Sequence, residues 1–275
     1  MAVELPADNL SGMNVHNINA RLALAREAAQ EAGALTLRYF DRGNYEVEIK
    51  ADASPVTIAD RQAEQFLRQK IAAIFPDDAI LGEELGEQPG TNGFRWILDP
   101  IDGTKSFIHG VPLYGTLIGI EYETKSLAGV VALPALADLF YAAQGQGAWH
   151  QRSGEPAKQI HVSTTETLAE SLFLTSEVAG FAKRGRHDAY EKLQSATRLS
   201  RTWGDCYGYM LVATGRAEIM VDPAMSVWDA AALEPILAEA GGTFTDWQGR
   251  RTIHNGEGIA TNGRVLEKVL EYTRS

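Results

Sequence analysis

The sequence predicts an α+β protein folded as a layered αβαβα sandwich. Two observations lead to this fold class. In the first half of the chain, helical patterns and a series of strand patterns indicate a sheet with two helices packed on it. In the second half, strand and helix patterns alternate, which is typical of α/β structure. The 275 residues are enough for one large domain or two modest ones.

The first half contains two amphipathic helices. Apolar residues recur at helical spacing over residues 17–40 and residues 60–75, and Pro76 ends the second pattern. Apolar runs bounded by turn residues predict one strand between the helices and five strands after them. These strands cover residues 45–50, 79–82, 94–99, 113–123, 127–133 and 139–143.

The second half starts after a polar stretch at residues 151–158. We interpret this stretch as the boundary between a subdomain of residues 1–155 and one of residues 156–275. Predicted strands beyond it cover residues 171–178, 198–202, 217–221 and 243–246. Predicted helices cover residues 186–197, 205–214, 227–240 and 263–273, and Gly241 with Gly242 ends the third of them.

The composition argues against several classes of function. The formal net charge is −11, so neither nucleic acid nor an anionic membrane is expected as a partner. No stretch has the apolar length of a membrane span, and the first residues lack a signal-peptide pattern. The single cysteine, Cys206, fits a reducing compartment, so we expect a cytoplasmic protein. The six histidines show no zinc-ligand spacing, and no Walker A sequence occurs.

The strongest chemical signal is a pair of aspartates after an apolar strand. Asp99 lies where this strand leaves the core, and Asp102 follows three residues later. Two carboxylates at the rim of a low-dielectric region repel each other unless a cation lies between them. Oxygen donors on a tight turn suit Mg²⁺, and the backbone carbonyl of Ile101 could face the same ion. Alternatively Asp99 begins a turn that Asp102 caps, but the complete Asp-Pro-Ile-Asp-Gly-Thr unit favours the metal site.

Gly103 and Thr104 add features of a phosphate site to this turn. Gly103 lets the backbone approach a ligand closely, and Thr104 supplies a hydroxyl group. If a helical turn begins here, its free N–H groups would bind a phosphate oxygen. The turn therefore predicts a site for both metal and phosphate.

Two further acidic segments are weak signals when each is taken alone. Glu83 and Glu84 follow a short apolar strand, although most Glu-Glu pairs lie in solvated loops. Asp229 is placed in the first turn of a predicted helix, where an acid commonly interacts with the helix dipole. Because acidic residues follow both the strand before Glu83 and the strand before Asp99, we expect the two turns at one edge of the sheet.

Together these segments resemble the inositol monophosphatase family. The resemblance rests on the Asp-Pro-Ile-Asp-Gly-Thr turn, Glu83-Glu84 upstream and Trp228-Asp229-Ala230-Ala231 downstream, and it covers nearly the whole chain. It implies the sandwich of the inositol monophosphatase and sugar phosphatase type, a homodimer, and a small phosphate monoester as substrate. It also implies two or three Mg²⁺ ions, bound by Glu83, Asp99, the Ile101 carbonyl, Asp102 and Asp229.

The same resemblance implies catalytic roles for three residues. Thr104 matches the position that helps to orient the attacking water, which is held near Glu83. Asp60 matches a carboxylate near that threonine and near a weakly held metal. An acid at the N-terminus of a helix is an equally good interpretation of Asp60.

The run Arg-Thr-Trp-Gly-Asp-Cys-Tyr-Gly-Tyr at residues 201–209 indicates the organic part of the substrate. It resembles the corresponding run of the histidinol-phosphate phosphatases within the family, with Asp205 where inositol phosphatases usually have a small residue. Asp205 could accept charge-assisted hydrogen bonds from an ammonium or imidazole group, or it could be a helix N-cap. Asp222 matches a family position that contacts this part of the substrate. The other candidate contacts are Trp203, Gly204 and, unless it belongs only to the strand surface, Arg201.

Three functions remain open from the sequence. The first is Mg²⁺-dependent hydrolysis of L-histidinol phosphate, which Asp205 and Asp222 favour together. The second is hydrolysis of inositol 1-phosphate or another sugar phosphate, in which case Asp205 would only cap a helix. The third is a non-catalytic binding or regulatory protein on the same fold, against which the intact acids at every metal position argue.

Overall fold

The computed structural model describes residues 13–40, 47–49 and 55–274. Two helices, a large sheet, a middle helix layer, a smaller sheet and an outer helix layer follow one another. The predicted αβαβα sandwich is therefore confirmed. None of the helices in these residues is long and apolar enough to cross a membrane.

The first helix layer packs on the large sheet through small and aliphatic side chains. Ala25 and Ala29 on the first helix and Leu67 on the second are fully buried there. The elements that precede the large sheet along the chain are α1 (Met13–Thr36), β1 (Val47–Ile49), β2 (Pro55–Thr57) and α2 (Ile58–Ile74). The predicted strand at residues 45–50 corresponds to β1, and its remaining residues lie outside the described part of the chain.

The large sheet has eight strands, and one of them, β5, ends at the cleft between the two sheets that is described below. Its strands are β3 (Ala79–Gly82), β4 (Gly86–Gln88), β5 (Phe94–Asp102), β6 (Gly115–Tyr122), β7 (Lys125–Leu133), β8 (Asp138–Ala143), β9 (Ala148–Arg152) and β10 (Lys158–Ile160). The spatial order is β10-β9-β8-β7-β6-β5-β3-β4. Among the described strands of this sheet only the β3–β5 pair is parallel, and the short helix α3 (Thr104–Ile108) follows β5 directly.

The second sheet has five strands in the order β12-β11-β13-β15-β14. Its strands are β11 (Leu172–Leu174), β12 (Leu199–Arg201), β13 (Ile219–Asp222), β14 (Thr243–Thr245) and β15 (Gly258–Thr261). The middle layer between the sheets contains α6 (Asp205–Ala213), α7 (Val227–Ala231) and α8 (Leu233–Glu239). The outer layer contains α4 (Val178–Lys183), α5 (His187–Ala196) and α9 (Leu266–Thr273).

Several predicted elements need correction. The helix predicted over residues 227–240 is two helices, because Pro235 has no N–H with which to continue the hydrogen bonding from α7. The strand predicted over residues 171–178 ends at Leu174, and Val178 already begins α4. The short strands β2, β4, β9, β10 and β15 were not predicted.

The first sheet also extends beyond the predicted subdomain boundary. Residue 155 lies in the turn between β9 and β10, and both strands belong to the eight-stranded sheet. This sheet therefore continues to Ile160 before the chain crosses to the second sheet.

Candidate active site

Most of the chemical groups predicted from the sequence meet in a cleft of about 780 Å³ between the two sheets. The end of β5 and the loop after β3 supply one wall, and the starts of α6 and α7 supply the other. Of the described residues that line the cleft, only Lys105 is basic, whereas acids occur on both walls. An anionic substrate would therefore require a cation to enter.

Three aspartates form a compact cluster in this cleft. Carboxylate oxygens of Asp99, Asp102 and Asp229 lie within 4.8 Å of one another. An irregularity in β5 brings the first two together, because three residue steps from Asp99 to Asp102 oppose two steps from Leu117 to Gly115 on β6. The extra residue turns both side chains to one side of a strand on which they would otherwise alternate.

Hydrogen bonds fix the shape of the turn that carries these acids. The Ile101 N–H donates to Asp99 Oδ1 at 3.1 Å, and the Thr104 hydroxyl donates to the Ile101 carbonyl at 3.0 Å. Asp102 Oδ2 accepts the backbone N–H of Cys206 at 2.6 Å, across the cleft from α6. The local turn bonds are therefore compatible with a role as metal ligands for the same residues.

Burial and mutual repulsion make the aspartate cluster a poor place for uncompensated charge. Burial, together with the neighbouring charges of Glu83 and the other aspartates, raises the pKa of Asp99 well above its ordinary value. Burial and the charges of Asp205 and Asp229 do the same to the pKa of Asp102. The pKa of Asp229 rises to about 7, mainly through burial. An all-oxygen donor set with this excess of negative charge fits a hard divalent cation.

Glu83 completes this side of the cleft. It lies in the loop between β3 and β4, and its backbone N–H donates to Leu98 on β5 at 3.2 Å. Its charge contributes to the raised pKa values of Asp99 and Asp229, which places it beside the cluster. Both acidic turns lie at one edge of the sheet, as the sequence predicts.

Asp60 caps α2 through one carboxylate oxygen, and its other oxygen is consistent with the metal-proximal role that the family resemblance implies. Its Oδ2 accepts the Thr57 N–H at 2.8 Å and the Thr57 hydroxyl at 2.6 Å, which caps α2. Its Oδ1 is buried and has no hydrogen-bond partner among the described residues. Burial, with a smaller contribution from Glu83, raises the pKa of Asp60 to about 6. The second oxygen thus remains for a ligand near Glu83.

Asp205 lies on the opposite wall, at the first position of α6. Gly204 is the N-terminal cap of this helix, so Asp205 does not have the capping role that was its alternative. Its backbone is left-handed, with φ of +53°, and its N–H donates to Ser176 Oγ at 2.8 Å. A Cβ atom on Gly103 would lie 2.9 Å from Asp205 Oδ2, so the carboxylate faces the phosphate turn. Burial and the charge of Asp222 raise the pKa of Asp205 to about 6.

Asp222 lines the cleft but is occupied by hydrogen bonds within the protein. Its Oδ1 accepts the Ser176 N–H at 2.8 Å and the Thr175 hydroxyl at 3.3 Å. Its Oδ2 accepts the hydroxyls of Ser176 and Tyr209, each at 2.9 Å. Asp222 therefore holds Ser176, which in turn holds the backbone of Asp205.

Two predicted substrate contacts are not brought into the cleft. Arg201 is exposed at the end of the edge strand β12, and its guanidinium donates to the Ser200 carbonyl. Trp203 is 41% exposed, and neither residue is part of the cleft lining. Gly204 does line it, because its backbone passes against Ser176.

The sequence interpretation missed several polar residues of the cleft, among them Ser176, Lys105 and Glu177. Ser176 lies in the loop after β11, and Lys105 with Glu177 forms an ion pair of 3.2 Å between the two halves. Lys105 directly follows the predicted turn, which was a usable signal. Ser176 and Glu177 lie within a stretch predicted as strand, so the sequence offered no comparable signal for them.

The sandwich fold and a carboxylate cluster that could bind a metal ion fit a metal-dependent class of phosphatases, and comparison with known proteins identifies the family. The chain belongs to the inositol monophosphatase family, whose family model matches residues 18–275. It is accordingly a phosphoric monoester hydrolase of a metal-dependent family, which sets aside the non-catalytic alternative.

Individual relatives cover almost the same length. The chain is 47% identical to a histidinol-phosphatase of Chlorobaculum parvum over 249 residues, which is 90% of this chain and 94% of the relative. It is 38% identical to a histidinol-phosphatase of Streptomyces coelicolor, covering 91% and 96% of the two chains. The crystal structure of the extragenic suppressor protein suhB from Bartonella henselae superposes with a TM-score of 0.85 at 27% identity, covering 93% and 99%.

Proposed function

We propose that this protein is a Mg²⁺-dependent phosphatase that hydrolyses L-histidinol phosphate to L-histidinol and phosphate. The observation that carries this proposal is the carboxylate of Asp205, which lies in the cleft directly beside the phosphate turn at Gly103. The histidinol-phosphatase relatives from Chlorobaculum parvum and Streptomyces coelicolor support the same substrate. This reaction would be a step of histidine biosynthesis.

The position of Asp205 matches the chemistry of this substrate. In histidinol phosphate, the ammonium group is on the carbon next to the one that bears the ester oxygen. A phosphate bound at the Gly103 turn therefore brings the ammonium close to Asp205, where a charge-assisted hydrogen bond is available. Inositol 1-phosphate has a neutral hydroxyl at the corresponding carbon, which gains less from an anionic partner.

Glu83, Asp99, Asp102, Asp229 and the Ile101 carbonyl would hold two or three Mg²⁺ ions, with Asp60 beside them. Bound Mg²⁺ would neutralise the acids, favour deprotonation of the attacking water and stabilise charge on the leaving oxygen. The all-oxygen donor set and the raised pKa values of the aspartates support this assignment.

The protein's own groups would orient the water and the phosphate. The Thr104 hydroxyl donates its proton to the Ile101 carbonyl, so its oxygen is directed to accept a hydrogen bond from water. Glu83 supplies a second acceptor on the same side of the cleft. The first turn of α3 would offer its backbone N–H groups to the phosphoryl oxygens. Water attacks phosphorus directly, so we propose no phosphoenzyme.

Phosphate release from L-histidinol phosphate and from myo-inositol 1-phosphate, measured side by side with Mg²⁺, tests the substrate. We expect kcat/KM to be higher for histidinol phosphate. A preference for the inositol ester would instead support the alternative function as an inositol or sugar-phosphate phosphatase. Activity that persists after exhaustive chelation, and that does not increase when Mg²⁺ is added back, would contradict the metal requirement.

The resemblance to the family also supports a homodimer, and the single cysteine, Cys206, supports a cytoplasmic location. Light scattering of the purified protein coupled to size exclusion tests the assembly. A mass of twice 29.9 kDa is the expected result, and the mass of one chain would contradict it.

A further inference from the structure

A fully buried glutamate on α2 binds the loop that carries Glu83. Gly82 and Gly86 pair across the β3–β4 hairpin, so residues 83–85 form its loop. The N–H of Glu84 donates to Glu64 Oε2 at 2.7 Å, and the N–H of Leu85 donates to Glu64 Oε1 at 3.1 Å. The Glu83 N–H donates to the Leu98 carbonyl. Every backbone N–H of the loop is thus bound by a group outside it.

The charge of Glu64 is balanced within the same element. Its side chain has no exposed surface, and Arg68, one helical turn later, donates to Oε1 at 2.8 Å. Arg68 also donates to the Gly86 carbonyl at the far end of the loop. A buried carboxylate needs such complete pairing, since an unpaired charge in this position would be strongly destabilising. The pair therefore binds both the N–H groups of the loop and its last carbonyl.

The strand beside the loop leaves room for this carboxylate. A Cβ atom on Gly82 would lie 2.0 Å from Glu64 Oε1 and 2.3 Å from its carboxyl carbon. Any other residue at this position would displace the buried carboxylate from the loop. Gly82 and Glu64 are therefore matched to each other, although 18 residues separate them.

We infer that Glu64 is a positioning residue for the metal site, and that it acts by holding the loop that presents Glu83. It does not itself line the cleft. The inference rests on the proposed metal function of Glu83. Groups that orient a metal ligand affect metal affinity or activity by about 10- to 100-fold when they are removed.

The test is calorimetric titration of Mg²⁺ into the metal-free protein. Glu64→Gln keeps the size of the side chain but removes its charge. It also places an amide NH₂ group, which can only donate, opposite either the N–H groups of the loop or the guanidinium of Arg68. We expect about tenfold weaker Mg²⁺ binding or more. The control is Glu87→Gln, which removes an exposed charge on β4 of the same hairpin, and we expect its Mg²⁺ affinity to stay within about twofold of the wild type.

A second variant, Gly82→Ala, displaces Glu64 without removing any charge, and it decides the question if Glu64→Gln does not fold. We expect weaker Mg²⁺ binding in the same direction, with the KM for the phosphate ester at saturating Mg²⁺ little changed. Wild-type Mg²⁺ affinity in folded Glu64→Gln or Gly82→Ala protein would overturn the positioning role. Failure of the wild type to bind Mg²⁺ would instead overturn the proposed function.

Discussion

The two walls of the cleft are built in different ways. The wall from the first half is centred on a short stretch of chain, the turn at residues 99–104, in which the Ile101 N–H binds Asp99 and the Thr104 hydroxyl binds the Ile101 carbonyl. The wall from the second half depends on groups that are distant in sequence. Asp205 is held by Ser176, and Ser176 is held by Asp222 on another strand.

This difference separates chemistry from specificity. In the proposed function the first wall, called the metal wall below, handles the phosphate and the attacking water, which are common to all substrates of the family. Asp205 and the groups that hold it, called the specificity wall below, would face the organic group, which differs among substrates. We therefore expect changes on the metal wall, or of the proposed metal ligand Asp229 on α7, to affect all substrates equally, and changes on the specificity wall to discriminate between them.

Asp99→Asn tests the metal wall and has the largest expected effect. The variant removes charge from the centre of the aspartate cluster, and metal-based stabilisation is worth several kcal/mol. We expect kcat to fall by about three orders of magnitude for histidinol phosphate and for a neutral ester alike. Steady-state kinetics with Asp188→Asn, an exposed acid on α5, provides the control. A loss confined to one substrate would contradict the division between the walls.

Asp205→Asn tests the specificity wall. A hydrogen bond to a charged group is worth about 1.5–3 kcal/mol, so we expect kcat/KM for histidinol phosphate to fall by about 10- to 100-fold. For a neutral ester such as inositol 1-phosphate we expect a change below about threefold. Kinetics of both esters with the same preparation make each substrate the control for the other. Equal losses would mean that Asp205 shapes the cleft and does not recognise the ammonium group.

The same contrast explains how much of the site was predictable. The metal wall is encoded locally: Asp99, Asp102 and Thr104 lie within six residues of one another, and their chemistry follows from strand end, turn and residue type. Glu83 and Asp229 become informative only when combined with that turn. The bulge that aligns Asp99 with Asp102 has no signature beyond the Asp-Pro-Ile-Asp order itself.

The specificity wall was predicted less well because its geometry is non-local. Asp205 was identified by residue type and by resemblance, but its left-handed backbone and its hydrogen bond to Ser176, 29 residues earlier in the chain, have no signature in the sequence. Arg201 and Trp203 were included as members of the same run, but Arg201 is exposed at the end of an edge strand and Trp203 is exposed just after it. The role of Asp222 as an acceptor for Ser176 and Tyr209 appears only when three elements are assembled.

The fold shows a similar division. Long apolar segments such as β5–β7 and α2 were predicted because burial imposes a clear pattern. Three- to five-residue strands such as β4, β9 and β10 are partly exposed and depend on their neighbours for pairing, so their pattern is weak. The break before α8 was predictable in principle, since Pro235 is visible in the sequence.

Ser176→Ala tests the link between Asp222 and Asp205. The variant removes the hydroxyl that accepts the Asp205 N–H and donates to Asp222. One such bond is worth about 0.5–1.5 kcal/mol, so we expect a rise of about three- to tenfold in the KM for histidinol phosphate. Ser171→Ala, at the other end of β11, removes a hydroxyl bonded to the Thr167 carbonyl and serves as the matched control. A similar rise in KM for both variants would reduce Ser176 to a general structural role.

The smallest expected effect is on the pH dependence of stability, which should differ between the metal-free protein and the protein with bound Mg²⁺. In the metal-free protein the pKa of Asp229 is raised to about 7, and the pKa values of Asp99 and Asp102 are raised as well. The folded state therefore binds more protons than the unfolded state, so this contribution to stability is present at low pH and is lost as the pH rises through about 7.

Thermal unfolding without metal should give a midpoint a few degrees higher at pH 5.5 than at pH 8. Saturating Mg²⁺ should remove or reverse that difference, because it stabilises the ionised carboxylates at high pH. A metal-free midpoint that is higher at pH 8 would show that the aspartates are compensated by other groups and do not require a cation.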